Sequence, residues 1–336
     1  HGILASLGIR EKKQLIMFVG AGNILSHAKK LVGEIAFQEM EQRLTSVGIS
    51  FTRFADLTNS FSIRIAVSAR IYVEPKTLTD LATVLSTCWN LELRYVIVGN
   101  GTKLLPPDGV VNAVVIRLRS DNWCNSRWID DNTLHCPGGV QMRDFCNLVR
   151  EKRYLGVEKL AYIPCSIGGA IAMNAGSHGQ SISDAVVSVE MMAPDGSTFV
   201  VGKDKLNFAY RTASVPRNYV VVGAAFRFSE RGSDEYFRKI SEELLELRKS
   251  KQPKGSNFGS VFKNCPEFPA GGLVDRAGLK GYKIGGAAIS DIHANFIVNC
   301  GNASSMDVEK LIDLARYDVY NKFGKFLQLE VRFLRG

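Results

Sequence analysis

Alternation predicts a strand near the end of the chain. In "LQLEVRF" (327–333), Leu327, Leu329, Val331 and Phe333 take one face, while Gln328, Glu330 and Arg332 share the other. A helical period replaces the twofold one in "AKKLVGEIAFQEMEQRL", where Leu31, Ile35, Met40 and Leu44 fall near a common face. Between these ends the two periods take turns. "IYVEP" reads as a strand stopping at Pro75, and "TLTDLATVLSTCWN" as a helix capped at Thr77 or Thr79. "LRYVIVGNGTKLL" is a buried strand entering a glycine loop, with "AVVIRL" as the next strand. From residue 121, turn-rich strands in "RWIDDNTLHCPGGV" precede the helix "MRDFCNLVREKR" and a Gly/Ala/Ser-rich stretch at 156–184. Asp195-Gly196 is a hairpin signal between "AVVSVEMMAP" and "TFVVG". Beyond the strand "YVVVGAAFRFS", the helix "SDEYFRKISEELLELRKSK" leads into a final mixed segment. There "GSVFKN" (259–264) reads as a strand start, with Ser260, Phe262 and Asn264 on one face and Val261 and Lys263 on the other.

These patterns divide the chain into a helical extension (1–45), an α/β lobe (46–120), a second lobe (121–229) and a C-terminal α+β segment (230–336). A length of 336 residues suits two or three domains better than one core. No apolar run is long enough to cross a bilayer, and "LIMFVGAG" at 15–22 is not followed by a signal-peptide cleavage pattern.

Charge narrows the ligand class. Forty-two basic residues against thirty-three acidic ones give a formal +9, which favours anionic partners. The lysines and arginines are scattered and not interleaved with aromatics, so phosphorylated small molecules are expected before nucleic acid. Seven cysteines, without C-x-x-C or paired His/Cys spacing, argue against a zinc site and a disulfide framework, and for reduced thiols in a cytoplasmic setting. No metal is expected.

Several stretches carry candidate chemistry. The loop after "VIVGN" holds Gly99 and Gly101, whose backbone can turn N–H groups toward a phosphate. It is not a Rossmann fingerprint, because the third glycine is missing and Pro106-Pro107 block an immediate helix. "YIPCSIGGAIAMNAGSHGQSISD" (162–184) leaves one side almost bare of side chains at Gly168, Gly169, Ala170, Ala172, Ala175 and Gly176. Either a flat bulky ligand or close helix–sheet packing would use such a surface. Taken singly, Arg211 in "FAYRTAS" reads as a surface arginine, and His293 in "SDIHANFIVN" as a structural histidine.

In this order and spacing, these blocks, with "QPKGSNFGSVFKN", "AGLKGYKIGGAAIS" and "LEVRFLRG", resemble the UDP-N-acetylenolpyruvoylglucosamine reductase (MurB) family of peptidoglycan synthesis from about Asn59 to Gly336. The resemblance implies an α+β fold: a two-lobed FAD-binding region of the PCMH/MurB type followed by a C-terminal α+β substrate domain. It implies noncovalent FAD, NADPH as reductant and UDP-N-acetylglucosamine enolpyruvate as substrate, in a cytoplasmic enzyme for which a monomer is favoured. In the implied reaction, flavin N5 delivers hydride to the terminal enolpyruvyl carbon and Ser260 supplies a proton to the carbon bearing the ether oxygen. Arg211 and Glu330 match the other two catalytic positions, polarising the substrate carboxylate and supporting the enolate. Lys251, Asn264 and Arg332 match substrate-binding positions. Gly99, Asn100, Gly101 and Thr102 match the FAD pyrophosphate loop, and the segment Ile163–Gly176 the isoalloxazine wall, with Ile163, Pro164, Ser166, Gly168, Gly169, Asn174 and Gly176 as its contacts. The short interval from Arg211 to Ser260 resembles the class without a tyrosine-bearing insertion.

Three departures stand out. Arg64-Ile65-Ala66-Val67-Ser68-Ala69 replaces the family's usual R-I-G-G-P-A, which would crowd backbone near the flavin. "GNGTKLL" puts Lys103 where an asparagine is usual, with the pyrophosphate as its expected target. Cys165 stands beside the flavin wall as a redox-sensitive or a buried inert thiol. Two other readings stay open: another FAD oxidoreductase on the same fold, and a non-enzymatic nucleotide-sugar-binding relic.

Overall fold

The first sheet is assembled from short strands that alternate with two helices. The elements run α1 (Ile24–Ser46), β1 (Phe51–Asp56), β2 (Val67–Val73), α2 (Leu78–Asn90), β3 (Tyr95–Ile97), β4 (Leu104–Leu105) and β5 (Gly109–Ile116). The computed structural model describes residues 24–264 and 267–334, so the first 23 residues of the helical extension expected over 1–45 lie outside the described residues, and the rest of it falls in α1. Thr77 caps α2 through a reciprocal capping box with Asp80, which satisfies two N-terminal amides. The sheet order is β1-β2-β5-β3, with β2 and β3 both parallel to β5. Central β5 buries Val111, Ala113, Val114, Val115 and Ile116, the near-continuous apolar run of a strand covered on both faces. A register shift between Ala69 and Ile71 turns Val67 and Ala69 toward one core, and Ile71 and Val73 toward the other.

The second sheet is antiparallel. It follows as β6 (Arg127–Trp128), β7 (Thr133–Pro137), α3 (Met142–Glu151), α4 (Ile167–Met173), β8 (Gly176–Ser177), β9 (Gln180–Ser181), β10 (Val186–Met192), β11 (Thr198–Gly202) and β12 (Val220–Arg227), in the order β11-β10-β12-β7-β6. Met142, Phe145, Cys146 and Val149 lie on one face of α3 and are buried against it. Phe145 meets Phe226 at a ring distance of 4.6 Å, and its burial stabilises the lobe by about 1.5–3 kcal/mol.

The third unit comprises α5 (Asp234–Lys251), β13 (Asn257–Ser260), α6 (Ala270–Arg276), β14 (Lys283–Ile284), β15 (Ala287–Ile289), β16 (Phe296–Asn299), α7 (Ser305–Phe323) and β17 (Arg332–Phe333). Its sheet runs β13-β16-β15-β14, while β17 leaves to pair in parallel with β4, Arg332 opposite Leu104. This pairing stitches the C-terminus to the glycine loop. The Asp108 carboxylate accepts the Ser305 N–H at 2.6 Å, and Asn299 Nδ2 donates to the Ile63 and Arg64 carbonyls at 3.0 Å each. One apolar cluster accordingly spans Phe61, Val111 and Leu105 together with Phe258, Leu311 and Val331. Among the described residues, no helix is long and apolar enough to cross a membrane.

"GSVFKN" differs from its expected form. β13 ends at Ser260 rather than beginning there, and its pairing with β16 slips between Asn257 and Ser260. Gly259, at φ +71°, makes the bulge. The consequence is that Phe262 packs in the core, 2% exposed, while Ser260 and Asn264 line a cavity.

Candidate active site

A cavity of about 900 Å³ opens where the three sheets meet. Its floor is the loop from Gly99 to Lys103. Among the described residues, none of the five backbone N–H groups from Gly99 through Lys103 donates to a protein acceptor. Consecutive unsatisfied amides form an anion-receiving surface. Gly101 takes φ +61°, and a Cβ there would run into the Ser60 carbonyl and the Phe61 backbone. Behind the loop, buried Arg117 donates to the Gly99 carbonyl at 2.9 Å and to Ser60 Oγ at 2.8 Å. Asn100 donates through Nδ2 to Gln141 Oε1 at 2.5 Å. Gly99, Asn100, Gly101 and Thr102 all line the cavity.

The opposite wall runs from Ile163 to Gly176. Ile163, Pro164, Ser166, Gly169 and Gly176 face the cavity, and Ser166 caps α4 by accepting the Gly169 N–H. Gly168 does not. A Cβ there would stand 3.2 Å from the Gly138 and Val221 carbonyls, so its bareness serves helix–sheet packing, and it lines a smaller cavity of about 130 Å³. Asn174 is also withdrawn, 4% exposed in the left-handed conformation at the end of α4. Its Nδ2 donates to the Ala209 carbonyl at 2.9 Å and its Oδ1 accepts the Ser183 N–H, which anchors the loop carrying Arg211. Gly176 gives that arginine room, because a Cβ would lie 2.8 Å from Arg211 Nη1.

A charged centre closes the cavity. Glu330, 8% exposed, places Oε1 at 3.1 Å from Lys103 Nζ and 3.4 Å from Arg211 Nε. The Glu330 N–H donates to the Val261 carbonyl at 2.8 Å, so the carboxylate hangs from the residue after Ser260. Lys103 Nζ also donates to the Ser260 carbonyl at 2.7 Å. Burial pushes the Lys103 ammonium below its ordinary pKa, and the Glu330 charge opposes that shift. Lys251, Asn264 and Arg332 lie on the same walls. Asn264 Oδ1 accepts the Ala270 N–H at 3.1 Å, and Arg332 Nη2 donates to the Ala172 carbonyl at 3.4 Å.

Lys103 thus faces Glu330 and Ser260, not a site confined to the glycine loop. No residue of 64–69 lines the cavity: Ile65, Val67 and Ala69 are buried in the core, so the altered stretch does not crowd it. Cys165 is on the wall, its thiol pushed up to about 12 by burial, which fits an inert thiol better than a redox-active one. Sequence reasoning gave no role to Asn295, whose side chain accepts the Phe262 N–H and donates to the Phe262 carbonyl, both at 2.9 Å. The only signal for it was an asparagine ahead of an apolar strand. Among the described residues, no group of three His, Cys, Asp or Glu side chains is arranged to hold a metal.

Free amides along a glycine loop, a wall of small residues and a buried charged centre suit an elongated anionic cofactor beside a redox substrate. The architecture is that of a flavin-dependent oxidoreductase. Residues 69–202 match the family described as FAD binding domain, and residues 251–334 match the UDP-N-acetylenolpyruvoylglucosamine reductase C-terminal domain. The UDP-N-acetylenolpyruvoylglucosamine reductase of Clostridioides difficile is 34% identical over 81% of this chain and 90% of its own length. That of Heliobacterium modesticaldum is 36% identical over 81% and 86%. The crystal structure of the Thermus caldophilus reductase superposes with a TM-score of 0.72 at 30% identity, covering 85% of this chain and 98% of that one. The chain belongs to the UDP-N-acetylenolpyruvoylglucosamine reductase family. It is an FAD-dependent oxidoreductase of peptidoglycan precursor synthesis.

Proposed function

We propose that the protein reduces the enolpyruvyl ether of UDP-N-acetylglucosamine enolpyruvate to the lactyl ether of UDP-N-acetylmuramate, with NADPH as reductant. The observation that carries the reading is convergence. Arg211, Ser260 and Glu330 come from three distant segments and line one cavity with the free-amide loop. Bound FAD would supply the hydride-transfer chemistry that links reductant to substrate.

The protein's own residues do the rest. The amides of Gly99–Thr102 would hold the cofactor's diphosphate, and the wall from Ile163 to Gly176 would let a flat ring approach the backbone. Lys251, Asn264 and Arg332 bind the substrate, the arginine offering a planar fork to carboxylate or phosphate oxygens. Arg211 draws negative charge toward the substrate carboxylate as the double bond is reduced. Ser260 delivers the proton from Oγ to the carbon bearing the ether oxygen, and the adjacent cations stabilise the alkoxide left behind. Glu330 holds Arg211 and Lys103 in place. The described cysteines are free, in keeping with a reducing cytoplasm, and a single chain carries every group named.

Anaerobic stopped-flow spectroscopy of the flavin band tests the reading. NADPH should bleach the wild-type protein and the enolpyruvyl substrate should restore its colour. Ser260→Ala should bleach normally but recover about a thousandfold more slowly. Equal slowing of both phases would refute the proton-donor role.

A further inference from the structure

We propose that Lys103 is a positioning residue for the proton-donating half-reaction, holding Glu330 and the Ser260 main chain in one register and leaving the centre with excess positive charge. The inference rests on the reductase reading above. Its ground is that this one side chain, rooted in the first unit, joins two separate segments of the third, at Ser260 and at Glu330.

The Lys103 main chain is fixed from two sides. It ends the loop of free amides, and its carbonyl accepts the Arg332 N–H at 2.8 Å, where β17 starts to pair with β4. The side chain then reaches away from the loop to Ser260 O at 2.7 Å and Glu330 Oε1 at 3.1 Å. Gly259 lies beside this reach, and a Cβ at that position would stand in tight contact with Lys103 Nζ, at 3.3 Å. A residue that only braced two strands would not need a charge at its tip.

The charge has a definite use. Glu330 contributes one buried carboxylate to the centre that faces the developing enolate. Arg211 alone would bring the pair to neutrality. In its protonated form Lys103 adds a second cation to Arg211 against the one carboxylate, which sets net positive charge where negative charge grows. Glu330 faces the ammonium at 3.1 Å and Arg211 faces the same carboxylate at 3.4 Å, while Arg332 and Lys251 lie on the same cavity walls. An asparagine at this position would supply a hydrogen bond without the charge.

The test compares full-length, FAD-loaded wild type with Lys103→Met, Lys103→Gln and Lys103→Arg. Fluorescence titration reads FAD affinity, and stopped flow reads the two half-reactions separately. Both neutral variants should bind FAD and be reduced by NADPH within about threefold of wild type, yet be reoxidised by substrate about 30-fold more slowly. Lys103→Arg should recover most of that loss. Wild-type reoxidation rates in the neutral variants would overturn the proposal. Equal slowing of both phases, or loss of FAD, in all three variants would also overturn it and leave a brace. Wild-type protein that binds FAD but is not reoxidised by substrate would overturn the reductase reading itself, whatever the variants do.

Discussion

Asn295→Ala isolates the clamp that holds Ser260. The asparagine is 1% exposed, and its amide satisfies both main-chain polar groups of Phe262, itself 2% exposed. Truncation leaves a buried N–H and a buried carbonyl without partners, each costing about 1–3 kcal/mol. Partial entry of water into the vacated space offsets some of this, for a net loss of about 3 kcal/mol. At about 2 °C per kcal/mol for a chain of this size, melting should fall by about 6 °C. Ser260 lies two residues upstream and Glu330 hangs from the intervening Val261, so a shift of about 1 Å would slow turnover about a hundredfold. Differential scanning fluorimetry and steady-state NADPH oxidation read the two effects. Asn295→Asp keeps the acceptor for the Phe262 N–H but sets an oxygen against the Phe262 carbonyl, and should do no better than alanine. Unchanged melting and turnover in Asn295→Ala would refute the clamp.

Gly101→Ala forces a side chain onto a left-handed residue facing the Ser60 carbonyl, so the loop must move; FAD affinity measured by flavin fluorescence should weaken at least tenfold, on the order of 1.4 kcal/mol or more. His293 predicts an acid limb. Burial holds its imidazole below the ordinary 6.5, the nearby Lys280 charge acting in the same sense, so the unfolded chain takes up the proton first. Its contribution is complete above pH 6.5 and is lost as pH falls through the depressed folded value. Urea unfolding of His293→Gln should therefore show a flatter pH dependence below about pH 6.5 than wild type.

Local signals marked much of the architecture. Thr77 and Asp80 announce the start of α2, the apolar spacing of Met142, Phe145 and Val149 defines α3, and Asp195-Gly196 turns β10 into β11. Each depends on neighbours within a turn or a hairpin, which is why each can be read along the chain. The ordered blocks around Arg211, Ser260 and Glu330 likewise pointed to the family, because six blocks in one order are far more specific than any alone.

Other features needed the fold. The polar face of "LQLEVRF" reads as a solvated strand face, yet Glu330 is buried because Lys103 and Arg211 arrive from segments more than a hundred residues away. The resemblance implies ligand contacts at Asn174 and Gly168, and in the structure Asn174 anchors a loop while Gly168 packs helix against sheet. The sequence by itself determined where several of the strands, helices and glycine turns lie, since those preferences reside in local sterics and periodicity, but not where β13 ends or that β17 is confined to Arg332–Phe333. Only the tertiary structure decided that Lys103 meets Glu330, because the parallel pairing of β4 with β17 is a long-range contact that no local pattern encodes.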